Sequence, residues 1–162
     1  NGRRRQRQMC IRDSPSGAQG GIIQIRQTIY KTDQSFSTTN SFFATGLACA
    51  ITPTSADNHV LVICQLTFQP NSDAIVLFRV SKPNSNYLDV GVSGGGQQCI
   101  VGGTQNGSRG AFPSFSLLDT NIATTSSTNY DVQAYCSQNS RINGRDSDYR
   151  GMSVLTLMEV SA

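Results

Sequence analysis

The sequence predicts an all-β fold, an antiparallel β-sandwich of jelly-roll-like arrangement. Three observations carry that prediction. Apolar residues recur at every second position in short runs, the period of a half-buried strand. Clusters of Ser, Thr, Asn, Gly and Pro separate the runs, and no segment shows a helical period. Hydrophobic residues reach 37% while charged residues stop at 14%, the balance of sheets whose outer faces are polar but uncharged. With 162 residues the chain can bury one real core.

Each element follows from its pattern. Ile22–Tyr30 places Ile23, Ile25 and Ile29 on one face and Gln24, Arg26 and Thr28 on the other. Phe42–Thr52 is a second extended stretch, closed by Thr52-Pro53-Thr54-Ser55. His59–Phe68 alternates most cleanly, with Val60, Val62, Cys64, Leu66 and Phe68 on one face. In Ile75–Ser81 the inner side is Val76, Phe78 and Val80, while Ile75 and Leu77 load the other. A loop-rich middle surrounds a short Cys99-Ile100-Val101 core, and Phe112–Leu118 follows it. After a Thr/Ser/Asn-rich turn from Asp119 to Asn129, a strand carries Tyr130, Val132, Ala134 and Cys136 inward, with Asp131, Gln133 and Tyr135 outward. Met152–Val160 is apolar on both faces, Leu155 and Leu157 alternating with Val154, Met158 and Val160.

Seven to nine such strands with polar turns suit a sandwich or jelly roll, with a Greek-key barrel as the alternative. The two strands that are apolar on both faces need cover twice over. A neighbouring subunit would supply it, which makes Ile75, Leu77, Val154, Leu155, Leu157 and Met158 candidate interface residues. Burial beneath a long loop would supply it equally well.

The formal charge of +3 is unevenly placed. Arg3, Arg4, Arg5, Arg7 and Arg12 lie within the first fourteen positions, and the remainder holds eight basic against nine acidic residues. The body is therefore near neutral, and no nucleic-acid partner is expected for it. Arg4 to Ser14, eleven consecutive residues, resemble one translated frame of a widely used transposase sequencing adapter; a basic arm is the competing reading. Residues 1–14 are accordingly set aside as a non-native tail, 15–21 read as a Gly-rich linker, and 22–162 form the sandwich domain. The chain is expected to be the C-terminal piece of something longer. No apolar stretch nears the ~20 residues of a membrane span, so no membrane insertion is expected.

Along the body, a set of short motifs follows in order. Gly21-Ile22-Ile23-Gln24 comes first, then Thr32-Asp33-Gln34-Ser35-Phe36-Ser37-Thr38, Thr45-Gly46-Leu47 and Ile51-Thr52-Pro53-Thr54-Ser55 ahead of His59-Val60-Leu61-Val62. Leu118-Asp119, Ala123 to Gln133, Ile142-Asn143, Asp146-Ser147-Asp148 and Leu155 to Val160 complete the set. In this the chain resembles, over roughly residues 20–162, a C-terminal head domain of tail-fibre-like structural proteins of cyanophages and other marine phages. The resemblance implies a virion location and a trimeric, jelly-roll-like cap on a fibrous shaft. The four body cysteines and the loop from Pro83 to Arg109 depart from the family pattern.

Little in the sequence points to catalysis, and no enzyme is expected. His59 is the only histidine and shares a strand face with Leu61 and Ile63, so a strand-start or interface role is the reading. No Gly-x-Ser-x-Gly elbow appears, and Gly91 to Gly96 lacks the Gly-Lys-Ser/Thr ending of a phosphate loop. Cys49, Cys64, Cys99 and Cys136 contain no Cys-x-x-Cys pair, so zinc is not expected, and free thiols suit a protein made in reducing cytoplasm. Asp146 and Asp148 could offer oxygens to Ca²⁺, but Arg145 and Arg150 beside them favour a salt-linked turn. No metal and no cofactor are expected.

Receptor binding would draw on rings beside amide donors, since sugars have apolar faces and fixed hydroxyl patterns. Asn84, Asn86 and Tyr87 form one such set; Gln97, Gln98, Gln105, Asn106 and Arg109 form another. Their alternative is to be soluble loops. The expected function is a virion structural head that trimerises and binds a host-surface glycan or protein. A purely architectural decoration domain and a secreted carbohydrate-binding module are the alternatives.

Overall fold

A computed structural model describes residues 21–37, 41–83, 86–88, 99–105, 110, 112–145 and 149–162; the side chains of Asn86, Gln105, Arg145, Tyr149 and Arg150 lie outside that description. The tail, most of the linker, Asn84, Gln97, Gln98, Asn106, Arg109, and the Asp146-Ser147-Asp148 cluster fall outside the described residues.

The described chain is all-β and antiparallel. Its strands are β1 (Ile22–Tyr30), β2 (Gln34–Phe36), β3 (Phe43–Ile51), β4 (His59–Gln65), β5 (Phe68–Pro70), β6 (Ala74–Lys82) and β7 (Asn86–Tyr87). They continue with β8 (Val101–Gln105), β9 (Ser114–Asp119), β10 (Thr128–Cys136), β11 (Ser140–Ile142), β12 (Gly144–Arg145), β13 (Tyr149–Arg150) and β14 (Ser153–Val160). One main sheet has the order β1-β14-β4-β9. The other runs β3-β10-β6, and both β7 and β8 pair with the far side of β6. A three-stranded ribbon, β2-β11-β5, and the hairpin β12-β13 are the accessory pieces. The sandwich read from the sequence is therefore what the chain forms.

The core comes from the alternation that predicted it. Val60, Val62 and Cys64 of β4, Val76, Phe78 and Val80 of β6, Tyr130, Val132, Ala134 and Cys136 of β10, and Leu155 and Leu157 of β14 are all buried. Each fully buried aliphatic side chain contributes about 1.5–3 kcal/mol. Phe68 meets Phe78 edge to face, with ring centroids 5.2 Å apart.

One expectation is corrected. The stretch His59–Phe68 is not one strand: β4 ends at Gln65 and Phe68 begins β5 in the ribbon. The break is fixed by side contacts, Leu66 N–H donating to the Pro113 carbonyl at 2.9 Å and Thr67 N–H to Ser153 Oγ at 3.0 Å. The isoleucines of β1 share one face, and the structure makes it the outer one. Ile25 and Ile29 are 54% and 49% exposed. Register decides this: Gln24 stands opposite Glu159 and donates its amide to Glu159 Oε2 at 2.6 Å. A slip of one residue would turn the isoleucines inward and leave a buried carboxylate without that donor.

Glu159 has no exposed surface. Its Oε1 accepts Thr54 N–H at 2.7 Å, Thr54 Oγ1 at 2.8 Å and Asn58 Nδ2 at 2.6 Å. Burial pushes this acid up, but the hydrogen bonds from Gln24, Asn58 and Thr54 outweigh it and hold the carboxyl at about 2. At the other end of β14, Asn143 takes a left-handed backbone, φ 58°. It donates Nδ2 to the Tyr30 and Thr32 carbonyls and accepts Ser153 Oγ at 2.7 Å. Gly46 marks an irregularity in β3 where the pairing with β10 shifts. Its φ of +82° and the Tyr30 hydroxyl against it leave no room for a Cβ.

Candidate functional site

Two surfaces stand out, one on each side of the sandwich and its end. The first is the outer face of the β1-β14-β4-β9 sheet. Register places Ile25, Met158, Leu61 and Leu118 in one row across all four strands. A second row holds Ile29, Val154, Gln65 and Ser114, a third Gln27, Thr156, Ile63 and Ser116, and Ile22, Val160 and His59 close the face at one end. No Asp, Glu, Lys or Arg occupies any of these positions. Four strands about 4.8 Å apart, each presenting some 20 Å of length, give a face on the order of 400 Å² in projection. Apolar patches of that order are the largest that soluble monomers ordinarily expose, and they are often functional.

This arrangement divides the six predicted interface residues. Val154 and Met158 belong to the face just described. Leu155 and Leu157 do not, because their strand turns them into the core at 0% exposure. Ile75 and Leu77 lie on the outer face of the other sheet, on the opposite side of the sandwich. There Leu77 folds across Gly102 of β8, where a Cβ would collide with it; cover within the chain answers part of the need. Ile75 remains 48% exposed.

The second surface centres on Tyr87. The Arg79 guanidinium carbon sits 3.6 Å from the Tyr87 ring centroid and 3.8 Å from that of Phe42. Arg79 Nε donates to Gln133 Oε1 at 2.8 Å. Phe42 in turn lies 6.0 Å from Tyr135 in a tilted pair. Tyr87 is the one predicted ligand residue whose side chain is described; its neighbour Asn86 pairs through its backbone with Lys82, and Gln105 with Ala74.

Beside Tyr87 a cleft of about 720 Å³ opens at the end of the sandwich. Lys82, Tyr87, Leu88 and the loop from Asp119 to Thr128 line it. Its floor is an ion pair, Lys82 Nζ to Asp119 Oδ2 at 2.8 Å, with side chains 13% and 3% exposed. Lys82 also donates to the Asn121 carbonyl at 2.9 Å, and Asp119 accepts Asn121 N–H at 3.1 Å and the Tyr130 hydroxyl at 2.8 Å. Burial first, and then that bond, push the Tyr130 hydroxyl far above the usual phenol range, so it stays a donor. Ala123 on the same loop has φ 49°, rare for a residue with a Cβ.

Arg79, Phe42 and Lys82 were not singled out from the sequence, and Asp119 was named only in the Leu118-Asp119 motif. The signal for Arg79 was its place on the outer face of β6 among apolar residues. Nothing local marks Lys82 and Asp119, which are 37 positions apart. His59 sits on the outer face of β4, and its Nδ1 is buried without a hydrogen-bond partner among the described residues. Cys49, Cys64, Cys99 and Cys136 are unpaired, and burial pushes the Cys64 thiol up to about 12. No cluster of three metal-ligating side chains occurs among the described residues, and none of their helices is long and apolar enough to cross a membrane.

Comparison with known proteins adds little. No family model matches the chain, and no curated protein does. Among solved structures, one match is a chain from a structure of infectious bursal disease virus, Gx strain, with a TM-score of 0.42 and 11% sequence identity. The match covers 86% of this chain and 42% of that one, so this chain spans less than half the length of the structure it matches.

Proposed function

We propose that this chain is a structural head of a virion appendage, self-associating through the outer face of the β1-β14-β4-β9 sheet and offering its remaining surface to the host. One observation carries the assembly: an uncharged, largely apolar face continuous over four strands. A partner rich in charge would find nothing to pair with there, whereas a second copy meets a surface of its own chemistry. Three copies per head is the number that the tail-fibre resemblance implies.

A virion role is supported by that resemblance and by strand order. Counting only β1, β3, β4, β6, β8, β9, β10 and β14, one sheet reads first-eighth-third-sixth and the other second-seventh-fourth-fifth. This is the jelly-roll order, common to viral shells and to lectins. The buried free thiols support folding in a reducing cytoplasm.

Solution mass by light scattering on a size-exclusion column tests the assembly. The expected wild-type mass is three times 17.4 kDa, and replacing both Ile25 and Met158 by Glu is expected to return the monomer. A wild-type monomer would overturn self-association. Failure to adhere to host cells in any oligomeric form would remove the receptor half and leave a purely architectural domain.

A further inference from the structure

The cleft between Tyr87 and the β9–β10 loop is, we propose, a binding site for a neutral saccharide. This deepens the host-surface half of the function above and rests on it. Four features of the cleft argue for such a ligand.

Its volume of about 720 Å³ lies within the roughly 300–1,000 Å³ of small-molecule sites. Its chemistry is hydroxyl and amide: Thr120, Asn121, Thr124, Ser126 and Ser127 line one wall, each able to donate and to accept, as sugar hydroxyls require. Tyr87 stands at the rim with one ring face stacked on Arg79, and its exposed remainder is the surface for the apolar face of a pyranose.

The electrostatics select against an anion. Lys82 and Asp119, the charged side chains among the residues lining the cleft, neutralise one another at 2.8 Å in its floor. An anionic ligand would have to take Lys82 from Asp119 and leave a buried carboxylate with its hydrogen bonds from Tyr130 and Asn121 but no counter-charge, a costly exchange. An uncharged polyol needs no such rearrangement.

The walls are also set before any ligand arrives. Asp119 anchors the loop through Lys82, Tyr130 and the Asn121 amide. Ala123 holds a left-handed backbone that persists only where its surroundings impose it. Tyr87 is stacked on Arg79. Fixed groups lose little conformational freedom on binding, which is how shallow polar sites reach useful affinity.

Saturation-transfer NMR tests the proposal with free glucose, galactose and N-acetylglucosamine as neutral probes and a sulfated heparin disaccharide as the anionic one. Wild type, Tyr87→Ala and Asn121→Ala are compared, with solution mass measured on the same samples. At least one neutral sugar is expected to saturate in the millimolar range, with affinity about tenfold weaker in both variants. The sulfated probe is expected to give weaker signals. Asn121 has an exposed side chain and holds Asp119 and Lys82 through its backbone alone, so its variant keeps the test sound if Tyr87→Ala fails to fold. No saturation by any neutral sugar up to about 50 mM, undiminished binding in Asn121→Ala, or preference for the sulfated probe would each overturn it. An assembled protein that binds no sugar sinks the cleft and leaves the assembly; a monomer that binds sugar does the reverse.

Discussion

Tyr87 and Arg79 stack on the outer face of the second sheet, guanidinium carbon to ring centroid 3.6 Å, with Phe42 closing the other side of the cation at 3.8 Å. An arginine covered on both faces by rings exchanges part of its hydration for two cation–π contacts and one hydrogen bond to Gln133. It adds a side-chain tie between the two-residue strand β7 and β6 to their few backbone pairs.

Arg79→Ala is therefore expected to lower stability by about 1–2 kcal/mol. Arg79→Lys should recover little of it, because an ammonium cannot stack flat between two rings. Urea unfolding of the three proteins checks this. Equal stability of the lysine variant and wild type would show the stack to be incidental.

How much of this was legible in the sequence depends on the element. For β10 the alternating residues name both the shared face and its direction, because only one face is apolar. Strands β4 and β6 also carry Leu61, Ile63, Ile75 and Leu77 on the second face, and there only pairing settles the direction. In β1 the alternation names the face of Ile23, Ile25 and Ile29 but cannot say that it points outward. That follows from pairing with β14, through Gln24 and Glu159, 135 positions apart. The same limit hides the cleft. Lys82 and Asp119 are unremarkable in their own neighbourhoods and acquire meaning only when β6 and β9 reach the same end of the sandwich. Leu155 and Leu157 were misplaced for the converse reason: a strand apolar on both faces gives no phase.

Acid should reveal Glu159. Its carboxyl is held at about 2 against an ordinary 4.5, so the folded chain takes up this proton later than the unfolded chain as pH falls. The stability it contributes is complete above the unfolded value and is lost between about pH 5 and 2. Glu159→Gln is expected to cost about 1–3 kcal/mol at neutral pH, since its amide must face Thr54 and Asn58 donors. The variant should also show a flatter fall in stability across that acid window. Parallel pH profiles for the two proteins would contradict the assignment.

Asn143 offers a third measurement. Asn143→Gly keeps the left-handed backbone but removes the bonds to Tyr30, Thr32 and Ser153. Asn143→Ala also strains a backbone at φ 58°. Losses of about 1–2 kcal/mol for Gly and about 2–4 kcal/mol for Ala are expected from thermal unfolding. The order of the two matters more than either value, and an alanine variant as stable as the glycine one would dismiss backbone strain as a cause.

The position of β14 between β1 and β4 has a kinetic meaning. Strand β1 pairs with β14 and with no other described strand, so the sandwich's first described strand waits for its last before it can dock. Closing that long loop has to precede any reward from the contacts it brings together, which makes the fold intrinsically slow to form. During that wait β1 has neither edge paired, the kind of surface through which nascent chains find one another before they are finished.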